Sequence, residues 1–260
     1  MLLFHRDLGG AGRPPLVVLH GLLGSSRNWQ TAGRELAERY HVLALDLRNH
    51  GSSPHAAEMT FAAMADDVLA WLDAQGIERA VLMGHSMGGK VAMRIACRHA
   101  ARVERLIAVD VAPRDYESPS LRRQLAAMQA LPLAELRNRT DAEARLEAAV
   151  PDWALRKFLA TNLAQDESGQ WRWAVNLPVL AAELGALGKD SLRPDDRFEG
   201  PTLVIAGGKS RFVLPEDLPA IARHFPASRV ETIPEAGHNP HMETRAALVR
   251  LVLAHDGAGA

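Results

Sequence analysis

One serine in this sequence stands where a nucleophile would. In VLMGHSMGGKVAM, an apolar run enters Gly84-His85-Ser86-Met87-Gly88 and leaves directly in a helix-like pattern. A serine on so sharp a strand-to-helix turn has its hydroxyl pushed out toward substrate, and the glycines two before and two after it let the backbone pass without clashes. The N-terminus of the following helix offers unpaired N–H groups and the positive end of its dipole to a developing oxyanion. Met87 N–H is the natural first donor. A second donor is expected from His20-Gly21-Leu22-Leu23-Gly24, another glycine-flanked turn after an apolar run, with Leu22 favoured and Leu23 as the alternative. A serine hydroxyl is a weak nucleophile and needs a histidine within hydrogen-bond reach, itself oriented by a carboxylate. In ETIPEAGHNPHMET, His238 lies between the last strand-like run and the last helix-like one, with His241 as its rival. For the acid, RLIAVDVAP ends its apolar run at Asp110, where an ionised group has to be paired. The alternative role for Asp110 is to cap the segment that follows it. Asp46, beside RNHGSS, reads as a loop brace and His85 as a packing histidine.

These groups must be brought together by the elements that carry them. Apolar runs at 1–8, 15–20, 41–46, 79–84, 104–111, 201–206 and 228–233 read as strands buried on both faces. Helical spacing fits 27–39, 61–75, 87–99, 215–224 and 241–254, each between two strands or after the last. Strands alternating with helices imply a mostly parallel sheet with helices on both faces. Residues 114–195 break the alternation: they are rich in Ala, Leu, Arg and Glu at helical spacing and lack a clear β-run. They read as a helical cap inserted into a core domain made of 1–113 and 196–260. The cap holds Trp153, Trp171 and Trp173, and Trp153 and Trp173 are candidates to line a substrate pocket or, alternatively, to pack the cap down. The tail DGAGA is expected to fray.

Composition narrows the partners. With 30 basic and 31 acidic residues, a net charge of −1 and no block of like charge, nothing attracts nucleic acid or an anionic membrane. No apolar run reaches the roughly 18 residues that cross a bilayer, and MLLFHRDLGG lacks the apolar core and cleavage site of a signal peptide. A single cysteine, Cys97, permits no internal disulfide, which fits a reducing, cytoplasmic setting; within VAMRIAC it reads as a buried thiol. The scattered histidines have no metal-ligand spacing, and no metal or cofactor is required.

HGLLGSSRNW, DLRNHGSSP, GHSMGGKVAM, VDVAP, FLATNL with WRW, GGKSRFV and GHNPHMET occur in this order. The whole chain thereby resembles the esterase and thioesterase branch of the α/β-hydrolase superfamily whose triad acid follows the sixth strand. The resemblance implies the α/β-hydrolase fold and cofactor-independent hydrolysis of a small-molecule acyl ester or acyl thioester, with Ser86, Asp110 and His238 matching the triad. In most α/β hydrolases outside this branch the acid instead follows the strand placed here at 201–206, where this chain has Ser210; Glu216 and Asp217 come later and are expected to start a solvent-facing helix. The rival readings are C–C bond hydrolysis or elimination on the same scaffold, and a ligand-binding receptor with residual hydrolysis. Acyl length, leaving group and oligomeric state stay open.

Overall fold

The computed structural model describes residues 1–117 and 119–255; the tail at 256–260, where fraying is expected, lies outside the described residues. The strands β1 (His5–Asp7), β2 (Pro15–Leu19), β3 (His41–Leu45), β4 (Ala80–His85), β5 (Val103–Val109), β8 (Thr202–Gly207) and β9 (Ser228–Ile233) form one sheet. Its order is β1-β3-β2-β4-β5-β8-β9, and β1 alone among them pairs antiparallel.

The continuous apolar runs have a direct cause. Side chains alternate between the two faces of a strand, so Val17 and Leu19 of β2 enter one core cluster while Leu16 and Val18 enter the other. On the first face lie α2 (Phe61–Ala74) and α3 (Met87–Arg98), contributing Val68, Trp71, Val91 and Ile95. On the second lie α1 (Gln30–Leu36) and the last helix, α8 (Arg245–His255), contributing Ala32, Leu36, Leu248 and Val252. With both faces covered, a strand has no polar side to show. The edge strands are the exceptions: β1 exposes Asp7, and β9 exposes Arg229 and Thr232.

Between Val109 and Thr202 the chain adds no strand to this sheet among the described residues. It forms α4 (Pro119–Gln129), α5 (Arg139–Leu146), α6 (Trp153–Ala160) and α7 (Leu177–Gly188). It also forms a two-stranded antiparallel sheet of β6 (Leu163–Gln165) and β7 (Trp171–Trp173), which the sequence did not announce. Each strand is three residues long, too short for a period-two pattern to stand out.

The chain order reverses beside β2, which has β3 on one side and β4 on the other. In open parallel sheets the crevice beyond the carboxyl ends of such strands is where ligands bind.

Candidate active site

Ser86 stands between β4 and α3 with φ 51° and ψ −116°, as the residue capping α3. A Cβ on Gly84 would lie 2.2 Å from the Gly88 carbonyl oxygen, and one on Gly88 would lie 2.5 Å from the carbonyl oxygens of Leu19 and His20. Both positions must therefore be glycine for β2, β4 and α3 to meet this closely. The half-buried Ser86 hydroxyl lies 3.1 Å from His238 Nε2, and His238 Nδ1 lies 2.7 Å from Asp110 Oδ2. A carboxylate only accepts, so Nδ1 carries the hydrogen; in the neutral ring Nε2 is then the acceptor and the serine O–H donates to it. Ser86, His238 and Asp110 are thus joined in one line, although the chain separates them by up to 152 positions.

Asp110 is fully buried at φ 48°, just past β5. Its Oδ1 accepts from Gly207 N–H at 2.9 Å, and its Oδ2 accepts from Ser210 Oγ at 2.5 Å as well as from His238. The loop after β8 therefore supplies donors to the carboxylate. The same loop lays the Phe212 ring on His238, with centroids 3.7 Å apart and planes 19° from parallel. Tyr116 holds Phe212 in turn, stacking on its ring and donating its O–H to the Phe212 carbonyl at 2.6 Å. Nothing local in GGKSRFV indicates these contacts. Asp217 is not solvent-facing as expected: it is buried and paired with Arg114 at 3.0 Å, because the loop after β5 folds back over it. Glu216 is exposed.

Two further histidines at the site, His85 and His241, are kept neutral by burial. His85 is pushed well below the ordinary histidine range by desolvation and by the neighbouring imidazoles of His238 and His241; its Nε2 donates to the His238 carbonyl at 2.6 Å. It packs, as expected, and it also anchors the loop of His238. His241 stacks on Trp29 with centroids 4.3 Å apart, and burial lowers its pKa to about 3. His238, not His241, is the ring that meets Ser86.

Residues Gly21 to Gly24 form a turn closed by Gly24 N–H to Gly21 O at 2.9 Å. A Cβ on Gly21 would stand 3.3 Å from Ser86 Cβ, so the turn presses against the serine. Leu23, buried with φ 61°, donates its N–H to His50 Nε2 at 3.2 Å and so has no donor to offer. Leu22 lies beside Ser86 and Met87 on the cavity wall, and Met87, as the first helical residue, has no intrahelical acceptor for its N–H. Asp46 does brace its loop, accepting from Ser26 N–H at 2.6 Å and Ser52 N–H at 2.8 Å.

Ser86 opens into a cavity of about 1020 Å³. Its apolar wall includes Leu121, Leu155, Phe158, Leu184 and Leu187, all from the segment between β5 and β8. The two tryptophans expected there are elsewhere. Trp153 is 62% exposed, with Lys157 Nζ 4.8 Å above its ring, and Trp173 packs among the helices, its indole N–H donating to the Met128 carbonyl at 3.1 Å. Trp153 opens α6 on its outer side, whereas the inner side of that helix presents the smaller Leu155 and Phe158.

A family model described as the alpha/beta hydrolase fold matches residues 14–244. The chain belongs to the α/β-hydrolase family. Among its relatives, the sn-1-specific diacylglycerol lipase ABHD11 of Xenopus laevis is 41% identical over 237 residues, covering 88% of this chain and 75% of that protein. Esterase YbfF of Escherichia coli K12 is 33% identical over 238 residues, covering 92% and 91%. A solved structure titled "Marine microorganism esterase" superposes with a TM-score of 0.95 at 33% identity, covering 98% of this hydrolase and 99% of that chain. No helix among the described residues of the hydrolase is long and apolar enough to cross a membrane.

Proposed function

We propose that this α/β hydrolase cleaves carboxylic esters through an acyl-enzyme on Ser86, with His238 as general base and acid and Asp110 as the group that orients His238. The observation that carries this reading is the unbroken line from Ser86 Oγ through His238 to the buried Asp110. Ser86 attacks the ester carbonyl while its proton passes to His238 Nε2, and the charge that forms on the imidazole faces Asp110. The N–H groups of Leu22 and Met87 hold the oxyanion. On collapse, His238 gives its proton to the departing alcohol, and a water activated by the same ring then releases the acid and frees Ser86.

Three features favour a lipid-like acyl ester. The cavity is at the upper end of what small-molecule sites offer, its deep wall is leucine and phenylalanine, and relatives carry the names diacylglycerol lipase and esterase. Acyl thioesters pass through the same tetrahedral intermediate and form the second arm of the test. Residues 114–195 act as the cap over a core of 1–113 and 196–260, since that segment adds nothing to the main sheet yet walls the cavity. The single cysteine, Cys97, permits no internal disulfide, which supports a reducing, cytoplasmic setting.

The test is turnover of p-nitrophenyl esters and acyl-CoA thioesters of graded chain length by the wild type and Ser86→Ala. Steady multiple turnover with a preference for longer acyl chains is expected, with Ser86→Ala losing both turnover and labelling by a fluorophosphonate. Labelling retained in Ser86→Ala sinks the nucleophile assignment, and a single slow turnover by the wild type favours the receptor reading.

A further inference from the structure

The turn that carries Leu22 is held in an unfavourable conformation. Leu23, the residue after it, has φ 61°, a region that a branched side chain rarely enters and that persists only when its surroundings enforce it. Both polar groups of Leu23 are held by buried side chains from other parts of the chain. Its N–H donates to His50 Nε2 at 3.2 Å, and its carbonyl accepts from Asn162 Nδ2 at 2.9 Å. Asn162 is 139 positions away, one residue past the C-cap of α6, and is buried. Its own carbonyl accepts from Ala174 N–H at 2.8 Å, which ties it to the end of β7.

The second clamp also reaches the inserted segment. His50 Nδ1 donates to the Arg48 carbonyl at 2.9 Å, leaving Nε2 bare as an acceptor, and burial lowers the His50 pKa to about 3, so the ring stays neutral. Next to His50, Asn49 holds φ 65° and is bonded twice by Asn176: Asn176 N–H to the Asn49 carbonyl at 2.9 Å and Asn176 Nδ2 to Asn49 Oδ1 at 3.0 Å. Asn176 caps α7, and α7 and α6 are the helices that supply Leu184, Leu187, Leu155 and Phe158 to the cavity wall.

We infer that Asn162 is a positioning residue for the reaction: it sets the Gly21–Gly24 turn so that Leu22 N–H meets the oxyanion, and it couples that hole to the helices that hold the acyl chain. The inference rests on the serine-hydrolase reading above. Asn162 touches neither substrate nor reacting atoms and acts through the Leu23 carbonyl, while His50 holds the Leu23 N–H. With the peptide units on both sides of Leu23 fixed, the turn is preorganised, and an oxyanion donor is effective only when it is already aimed where charge will develop.

The experiment uses the full chain with p-nitrophenyl butyrate as substrate and a butyl trifluoromethyl ketone as a probe that forms a tetrahedral adduct with Ser86. Removing an oxyanion donor outright costs about 100- to 1000-fold in kcat, and loosening one is expected to cost about 10- to 100-fold. Asn162→Ala should lose that much kcat with KM little changed, and ketone affinity should fall in parallel. His50→Ala should do the same, and His50→Gln, which restores an acceptor, should recover most of kcat. If Asn162→Ala does not fold, Asn162→Asp keeps the shape and removes the donor, and is read in its place. Wild-type kcat in the Asn162 variant, or a kcat loss with undiminished ketone affinity, overturns the inference. If Ser86→Ala turns over like the wild type, the serine-hydrolase reading fails instead.

Discussion

Asp110 gathers three donors: Gly207 N–H at the end of β8, Ser210 Oγ from the loop after it, and His238 Nδ1 from the loop after β9. Ser210, which stands where the commoner arrangement of the superfamily leads one to expect a carboxylate, donates instead to Asp110, the acid of the proposed triad. The strand-end position of Asp110 made it a candidate from sequence, whereas the service of Ser210 and Phe212 was invisible, because a hydroxyl or ring acquires such a role only from what the fold sets beside it. Asp110→Asn leaves room for the side chain but no longer favours Nδ1–H, so kcat should fall by about 1000- to 10,000-fold with KM nearly unchanged. Asp217, committed to Arg114 at 3.0 Å, provides the contrast: Asp217→Asn should keep kcat near wild type. Steady-state kinetics on both variants check this, and the reverse pattern would move the acid to Asp217.

At the scale of elements, β2, β3, β4, β5 and β8 were legible because helices cover both their faces, the edge strands β1 and β9 were legible as well, and the turns after the central strands carry the proposed chemistry. Leu23, Asn49, Ser86 and Asp110, the four non-glycine residues with positive φ among those described, follow β2, β3, β4 and β5 in turn. Backbone strain is thus stored along the one sheet edge where the substrate cavity opens. Gly88 permits this convergence, since a Cβ there meets the backbone of Leu19 and His20 at 2.5 Å. Backbone cannot swing aside as a side-chain tip can. Gly88→Ala is expected to cost about 1–3 kcal/mol by overpacking and to move Ser86 relative to the Gly21–Gly24 turn. Urea unfolding should report the first effect and a lowered kcat the second. The short β6 and β7 went unread because three residues offer no period, and the inward side of α6 because its pattern alone does not say which face meets the cavity.

Over the whole molecule, burial holds a set of histidines neutral: His20, His50, His85 and His241 all have lowered pKa values, with His50 and His241 at about 3. An unfolded histidine titrates near 6.5. Between about pH 6.5 and 3 the unfolded chain therefore binds more protons at these sites than the folded one, and stability rises with pH across that window. The contribution is complete above about pH 6.5 and is lost as pH falls toward 3, with a slope of up to about 1.4 kcal/mol per pH unit for each such histidine. Urea midpoints should change little from pH 7.5 to about 6.5 and then fall down to pH 5, above the range where most carboxylates titrate. A flat profile would mean that these rings are hydrated in solution. His50 links this loss to the Gly21–Gly24 turn, because a protonated Nε2 cannot accept from Leu23 N–H.

The sequence by itself determined the sheet with its two covered faces, the turn presenting Ser86, and the histidine and strand-end aspartate available to it, because these follow from local spacing and from apolar periodicity. Only the tertiary structure decided which histidine meets Ser86, that Leu23 N–H is already taken, and that Ser210, Phe212, Asn162 and Asn176 hold the site together. Those roles depend on distances between residues as much as 152 positions apart, and such distances are fixed when the layers pack.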